Sequence, residues 1–135
     1  TTGKTMTELK GETKGLSDHY DIKIYGLIKP REEIYSSINS RIEKMFRRGL
    51  IPEVKSLKRK RLSRTAKGVL GYREISGYLS GEYDADTAKE LLKRNTRRFA
   101  KRQLTWFRAD KRIKWFDLSK LGEKEILKNI TREND

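Results

Sequence analysis

Residues 85–108 read as one long amphipathic helix, and that helix constrains the rest of the chain more than any other feature. Asp84 is placed to cap its first turn. Ala88, Leu91, Leu92, Asn95, Phe99, Gln103 and Trp106 share one face at helical spacing. Arg94, Arg97, Lys101, Thr105 and Arg108 share the opposite one, with Arg98 and Arg102 toward the boundaries. Between positions 94 and 108 the helix holds six Arg or Lys, three aromatic rings and four uncharged hydrogen-bonding side chains. That is about four turns. A merely solvated helix mixes both signs of charge and does not carry two adjacent rings inside a basic run. The spacing assigns Phe99 and Trp106 to a core and the basic stripe to a polyanionic partner. Asn95 and Gln103, on the packed side, need hydrogen-bond partners if they are buried.

The elements around this helix follow from local pattern. Residues 1–16 contain Gly3, Gly11 and Gly15 and little apolar periodicity, so they read as loop, with one turn of helix near 7–10. Residues 20–28 alternate and are rich in β-branched and aromatic side chains, which predicts a strand. Pro30 then opens a helix over 31–48, with Gly49 as its C-terminal stop. Its apolar face holds Ile34, Ile38 and Met45, with Ile42 at the margin, and Arg41 projects from the same face. An arginine in an apolar stripe is expensive unless something anionic meets it. The residues alone leave two readings of Arg41 open. It snorkels or pairs with an internal carboxylate, or it faces an anionic ligand. A short helix is predicted over 52–57, a basic loop over 58–64 and a further helix over 68–79. Gly71 and Gly77 within that last helix point to the close approach of another backbone or a ligand. Residues 113–118 read as a short strand and 122–131 as a terminal helix.

Length and charge set the class. The 135 residues suffice for one domain with a modest core, and a formal net charge of +14 makes a polyanionic partner the first expectation. The chain has no cysteine, which excludes a disulfide scaffold and a cysteine-ligated zinc site. No apolar run approaches the roughly 20 residues of a membrane span, and there is no signal-peptide pattern. A cytoplasmic protein with no membrane contact fits these features. The chain opens at Thr1, without Met, in what reads as mid-domain sequence, so a fragment is expected.

Catalytic constellations are hard to build. Thr2-Gly3-Lys4-Thr5 has the look of the tail of a phosphate loop, but it lacks the upstream glycine, the preceding strand and a good following helix. His19 is the only histidine and has no partner at metal spacing. No Ser-His-Asp or Cys-His arrangement is available. Glu32-Glu33 and the Asp84/Asp86 pair read as charges at helix N-termini. The basic helix therefore carries the functional signal. Its cations supply affinity for a phosphate backbone, and its rings and guanidinium planes can stack on splayed bases. The residues favour nucleic acid, with RNA the first candidate, but they separate RNA from DNA poorly.

Several motifs carry a family resemblance. Lys101-Arg102-Gln103-Leu104-Thr105-Trp106-Phe107-Arg108, preceded by residues 94–100, resembles the C-terminal signature of the tRNA dimethylallyltransferases, also called tRNA isopentenyltransferases. Thr2-Gly3-Lys4-Thr5-Met6-Thr7-Glu8-Leu9, residues 41–54 with their Gly-Leu-x-x-Glu-Val exit, and Gly71-Tyr72-Arg73-Glu74 agree in order and spacing. The resemblance covers nearly the whole chain. It implies an α/β fold of the P-loop transferase type, of which this chain is the C-terminal portion: mostly helical, with one or two strands completing a parallel sheet. The absence of cysteine, and hence of the zinc finger that eukaryotic members often append, points to a bacterial-type member.

The implied reaction moves a dimethylallyl group from dimethylallyl diphosphate to the exocyclic amine of the adenine just 3′ of the anticodon in tRNA. The target base is flipped into a channel, and Mg2+ assists the departure of diphosphate. The phosphate loop, the aspartate that acts as general base and most of the Mg2+ site are expected upstream of Thr1. No catalytic or metal-binding residue is therefore assigned within the chain, which alone is expected to be inactive. Arg41 matches an arginine that lines the reaction channel near the diphosphate, and this favours the ligand-facing reading of that residue. Val69, Leu70, Gly71, Tyr72 and Arg73 match a tRNA-contacting turn. Lys101, Arg102, Gln103, Leu104, Thr105, Trp106, Phe107 and Arg108 match a tRNA-contacting helix, and Arg94, Arg97 and Arg98 extend it. The anticodon arm is the expected partner, and a monomer is expected for the full-length enzyme. The alternatives are an adenylate isopentenyltransferase acting on free nucleotides, which the dense positive charge disfavours, and a non-catalytic RNA-binding module.

Overall fold

The computed structural model describes Gly3, Gly15 and residues 19–133. The expected loop over 1–16, with its turn of helix at 7–10 and the Thr2–Leu9 motif, lies outside the described residues apart from those two glycines. The chain runs β1 (Ile24–Ile28), α1 (Arg31–Arg47), α2 (Leu50–Lys58), α3 (Arg64–Lys67), α4 (Tyr72–Leu79), α5 (Ala85–Arg108), β2 (Ile113–Asp117) and α6 (Glu123–Arg132). It is mostly helical with a small parallel sheet, the α/β arrangement expected of it.

The two strands pair with each other in parallel, Ile24 opposite Ile113 and Ile28 opposite Asp117. All five of the intervening helices form the crossover. Gly26 lies opposite Trp115, and a Cβ on it would sit 2.5 Å from the indole, so the ring can lie across the strand only because residue 26 has no side chain. The strand starts at Ile24, later than the predicted position 20. Residues 21–23 are exposed and pair with no strand among the described residues.

The main buried cluster is made by helices, and Phe116 of β2 and Ile126 of α6 are buried outside it. Ile42, Leu50, Val54, Ile75, Ala88 and Leu92 form one buried cluster from α1, α2, α4 and α5. Each buried Ile, Leu or Val contributes about 1.5–3 kcal/mol relative to exposure. α5 packs against both α1 and α4. Its N-terminus is held as predicted, with the Thr87 N–H donating to Asp84 Oδ1 at 2.7 Å. Those hydrogen bonds from Thr87 hold the Asp84 carboxyl below its ordinary range. Across the α1–α5 contact, Lys93 and Lys89 pair with Glu43 at 2.7 and 3.2 Å and lower its pKa.

Several boundaries differ from the pattern. Gly49 adopts φ +96° and serves as the N-cap of α2, so the chain reverses without a linker and α2 begins two residues before Pro52. Ile42, expected at the margin of α1, is only 3% exposed, whereas Arg41 beside it is exposed. The α1 stripe is therefore rotated relative to the predicted one. The basic loop over 58–64 is partly helical at both ends. Lys58 closes α2, and Arg64 opens α3, capped by Ser63 accepting from the Ala66 N–H at 3.2 Å. The helix predicted over 68–79 begins only at Tyr72, because Gly71 sits at φ +95° as the N-cap. Gly71 is thus a turn residue. Gly77 is within the helix and buried, and a Cβ there would lie 2.1 Å from the Tyr83 hydroxyl oxygen. The close approach expected at Gly77 is made by that side chain.

Candidate nucleic-acid interface

The turn before α4 is fixed by a buried carboxylate. Glu74 is 2% exposed. Its Oε2 accepts from the Gly71 N–H at 2.9 Å, and its Oε1 accepts from Asn95 Nδ2 at 2.8 Å. The Arg73 guanidinium lies 3.9 Å from the same Oε1. A buried charge needs such partners. Here they tie the Gly71 turn to the middle of α5 through Asn95. The Tyr83 hydroxyl adds a bond to the Glu74 carbonyl oxygen at 2.9 Å. Burial raises the Tyr83 pKa above its ordinary value. The Gly71–Glu74 motif contains Glu74 but does not by itself reveal this role. The usable signal was Asn95, a polar side chain on the packed face in need of a partner.

That brace opens a groove of about 710 Å3 between the turn and α5. Gly68, Val69, Leu70 and Arg73 form one wall, and Asn95, Arg98, Phe99 and Arg102 form the other. Val69 is 58% exposed and the Arg73 side chain 73%. Arg102 stands over the Phe99 ring, 6.0 Å from its centroid. A second depression, of about 510 Å3, continues along α5 between Arg98, Lys101, Arg102, Thr105 and Trp106. Two aromatic faces and a row of cations therefore follow one side of the helix.

The exposure of those rings overturns their assignment to the core. Phe99 is 44% exposed and Trp106 74%. They share a meridian with Ala88 and Leu92, but the partner helix runs out. At about 1.5 Å per residue, α5 extends about 36 Å and α4 only about 12 Å. Beyond Asn95 no helix among the described residues packs closely on that face, and Phe99 borders the groove. Trp106 instead packs edge-on against Phe107, with centroids 4.9 Å apart.

The remaining expected site residues divide among other surfaces. Gln103, Leu104 and Phe107 line a 390 Å3 cavity over the strands, facing Ile24, Gly26, Ile113 and Trp115. Lys101, Leu104, Thr105 and Arg108 also border a smaller cleft with Lys29, Arg31 and Tyr35. Gly71 is buried and Tyr72 half-buried, so within the turn it is Val69, Leu70 and Arg73 that face outward. Arg94 is exposed, outside both depressions. Arg97 does not join the free basic stripe. It is half-buried, donates to Asn39 Oδ1 at 2.8 Å and lies 6.0 Å from the Tyr35 ring centroid. Arg41 borders a separate depression on α1 with Ser36, Ser37, Ser40, Lys44 and Arg48, a setting rich in hydroxyls and cations. Among the described residues no three His, Cys, Asp or Glu side chains come together as a metal site requires. The depression around Arg41 is cationic and so has the wrong charge to hold Mg2+. No helix among the described residues is long and apolar enough to cross a membrane.

Helices built around a buried core, a parallel pair of strands, and a basic groove edged with rings define a mostly helical α/β protein with one strongly cationic face. The chain belongs to the IPP transferase family, whose model matches residues 1–110. It is 53% identical over 133 residues to the tRNA dimethylallyltransferase of Halothermothrix orenii, covering 97% of this chain and 40% of that protein. It is 46% identical over 129 residues to that of Desulforamulus reducens, covering 95% and 46%. Among solved structures it resembles the full-length tRNA isopentenylpyrophosphate transferase of Bacillus halodurans, with a TM-score of 0.76 and 38% identity, over 82% of this chain and 37% of that one. The Staphylococcus epidermidis tRNA delta(2)-isopentenylpyrophosphate transferase matches with a TM-score of 0.78 and 29% identity, over 94% and 40%. The chain thus spans less than half the length of each of these relatives.

Proposed function

We propose that this chain holds tRNA, and forms part of the reaction channel, in an enzyme that transfers a dimethylallyl group from dimethylallyl diphosphate to the exocyclic amine of the adenine 3′ of the anticodon. The observation that carries the reading is the groove beside Phe99, with its continuation to Trp106. Exposed rings and Arg73, Arg98, Lys101 and Arg102 converge there on one face. Cations bind the phosphate backbone of the anticodon arm, and the rings stack on unpaired loop bases. A free nucleotide would not need so long a cationic track.

In the reaction, the amine nitrogen bonds to the allylic carbon as the bond from that carbon to diphosphate oxygen breaks, diphosphate departs, and the nitrogen gives up one proton to the general base. Arg41, with Lys44 and Arg48 nearby, supplies positive charge suited to the departing diphosphate. Mg2+, which the family uses, would add charge neutralisation at the same leaving group, through residues other than those described in this chain. The parallel strands of this chain extend a larger sheet, and the general base and phosphate loop belong to a preceding segment.

Binding of a fluorescent anticodon-arm RNA tests the reading. Lys101→Glu with Arg102→Glu should weaken binding at least tenfold and flatten its salt dependence. An unchanged salt slope would remove α5 from the interface.

A further inference from the structure

The net positive charge of the chain is concentrated in two segments. Residues 54–73 hold eight Lys or Arg and no Asp or Glu, and residues 91–109 hold seven and none. Together they account for the net charge of +14, and the remainder of the chain is almost balanced. The second segment is the stretch of α5 that borders the groove through Arg98 and Arg102, while its Lys93 pairs with Glu43 and its Arg97 with Asn39. The first has no role in the function proposed above, apart from the turn that ends it.

This first segment is folded. Lys58 ends α2, and its ammonium donates to Ser80 Oγ at 3.1 Å. Ser63 caps α3, and Leu62 and Ala66 are half-buried anchors beneath it. Lys55, Lys58, Arg59, Lys60, Arg61, Arg64, Lys67 and Arg73 are all exposed. Among the described residues only Arg73 approaches a carboxylate. Like charges held this close in a folded surface repel one another unless a polyanion meets them. The two segments meet at the groove, where Gly68, Val69 and Leu70 of the first face Asn95, Arg98 and Phe99 of the second.

They differ in one respect that determines what each can read. The α5 segment exposes Phe99, Trp106 and Phe107, whereas residues 54–71 contain no aromatic ring. Rings suit splayed, unpaired bases. Cations without rings suit the phosphates of a closed double helix, whose bases are not available for stacking. The geometry points to a division of labour across the groove: α5 takes the unpaired loop of an RNA, and the Arg59–Lys67 surface tracks the phosphates of the double-helical stem that carries the loop. This extends the RNA-binding reading above and depends on it.

The test uses the chain with two RNAs, a single strand of the anticodon-loop sequence and the same loop closed on its stem. The variant replaces Arg59, Lys60, Arg61 and Arg64 with Gln, leaving Lys58 bonded to Ser80. The parent chain should bind the stem-loop tighter than the single strand. The variant should lose on the order of tenfold or more on the stem-loop, with a salt slope lower by about 3, and less than about twofold on the single strand. A variant that keeps the parent preference for the stem-loop, or that weakens on both RNAs equally, overturns the assignment. So does a parent chain with no preference. If the parent chain binds neither RNA, it is the RNA-binding reading itself that fails.

Discussion

The two halves of α5 carry the same pattern and meet different fates. In the first half, Ala88 is fully buried and Leu92 is 2% exposed, with α1 and α4 packed against them. In the second half, Phe99 and Trp106 lie on the same meridian and are 44% and 74% exposed. Amphipathic spacing reports which way a side chain points. It does not report whether anything stands opposite. A helix that outruns its partners turns the tail of its core stripe into a displayed surface, and when cations flank that surface it becomes a place for bases and phosphates.

The largest expected effect tests the packed half. Leu92→Ala removes a side chain from a closed cluster that includes Ile42, Leu50, Val54, Ile75 and Ala88. It should destabilise the fold by about 2–5 kcal/mol in urea denaturation. A loss below 1 kcal/mol would put Leu92 on the same footing as the displayed rings and dissolve the contrast.

The elements that the sequence made legible are those with a local physical cause. The Asp84 cap and the unbroken α5 pattern placed Ala85–Arg108 at both ends. Gly49 marked the end of α1 because it takes a positive φ there. The parallel pairing of the strands was expected from the resemblance; alternation alone marks a strand and leaves its partner open. Features set by long-range packing were less legible. Whether Ile42 or Arg41 faces the core depends on the angle at which α1 meets α5, and a single-helix pattern does not contain that angle. The start of α4 is not legible because Gly71 resembles a weak helix residue until its φ is known. Of the site, the basic stripe and the rings were visible in the sequence. The Glu74–Asn95 bond spans 21 positions, so no local window shows it.

That bond lies where α5 passes from packed to displayed, and it offers a sharper cut. Asn95→Ala would leave the Glu74 Oε1, buried at 2% exposure, with only the Arg73 guanidinium 3.9 Å away. The cost should be about 1–3 kcal/mol by denaturation, less than that of Leu92→Ala. The Gly71 turn should also loosen, so binding to the anticodon-arm RNA should fall, whereas Asn95→Asp should be worse still because it opposes two carboxylates. An Asn95→Asp variant as stable as the parent would show that Glu74 is not held as the geometry describes.

The smallest expected change in stability completes the comparison. Trp106→Ala removes a ring that is 74% exposed and touches Phe107 edge-on, so the denaturation midpoint should move by less than about 0.5 kcal/mol of stability. Affinity for the loop RNA should nevertheless drop by about 1–3 kcal/mol if the ring stacks on a base. Trp106→Phe should recover most of that loss, because stacking needs a flat face and not the indole N–H. If Trp106→Ala destabilises the fold as much as Leu92→Ala, the ring belongs to a core after all. If it costs neither stability nor affinity, the exposed end of α5 is a surface without a ligand, and the contrast between the two halves is one of packing alone.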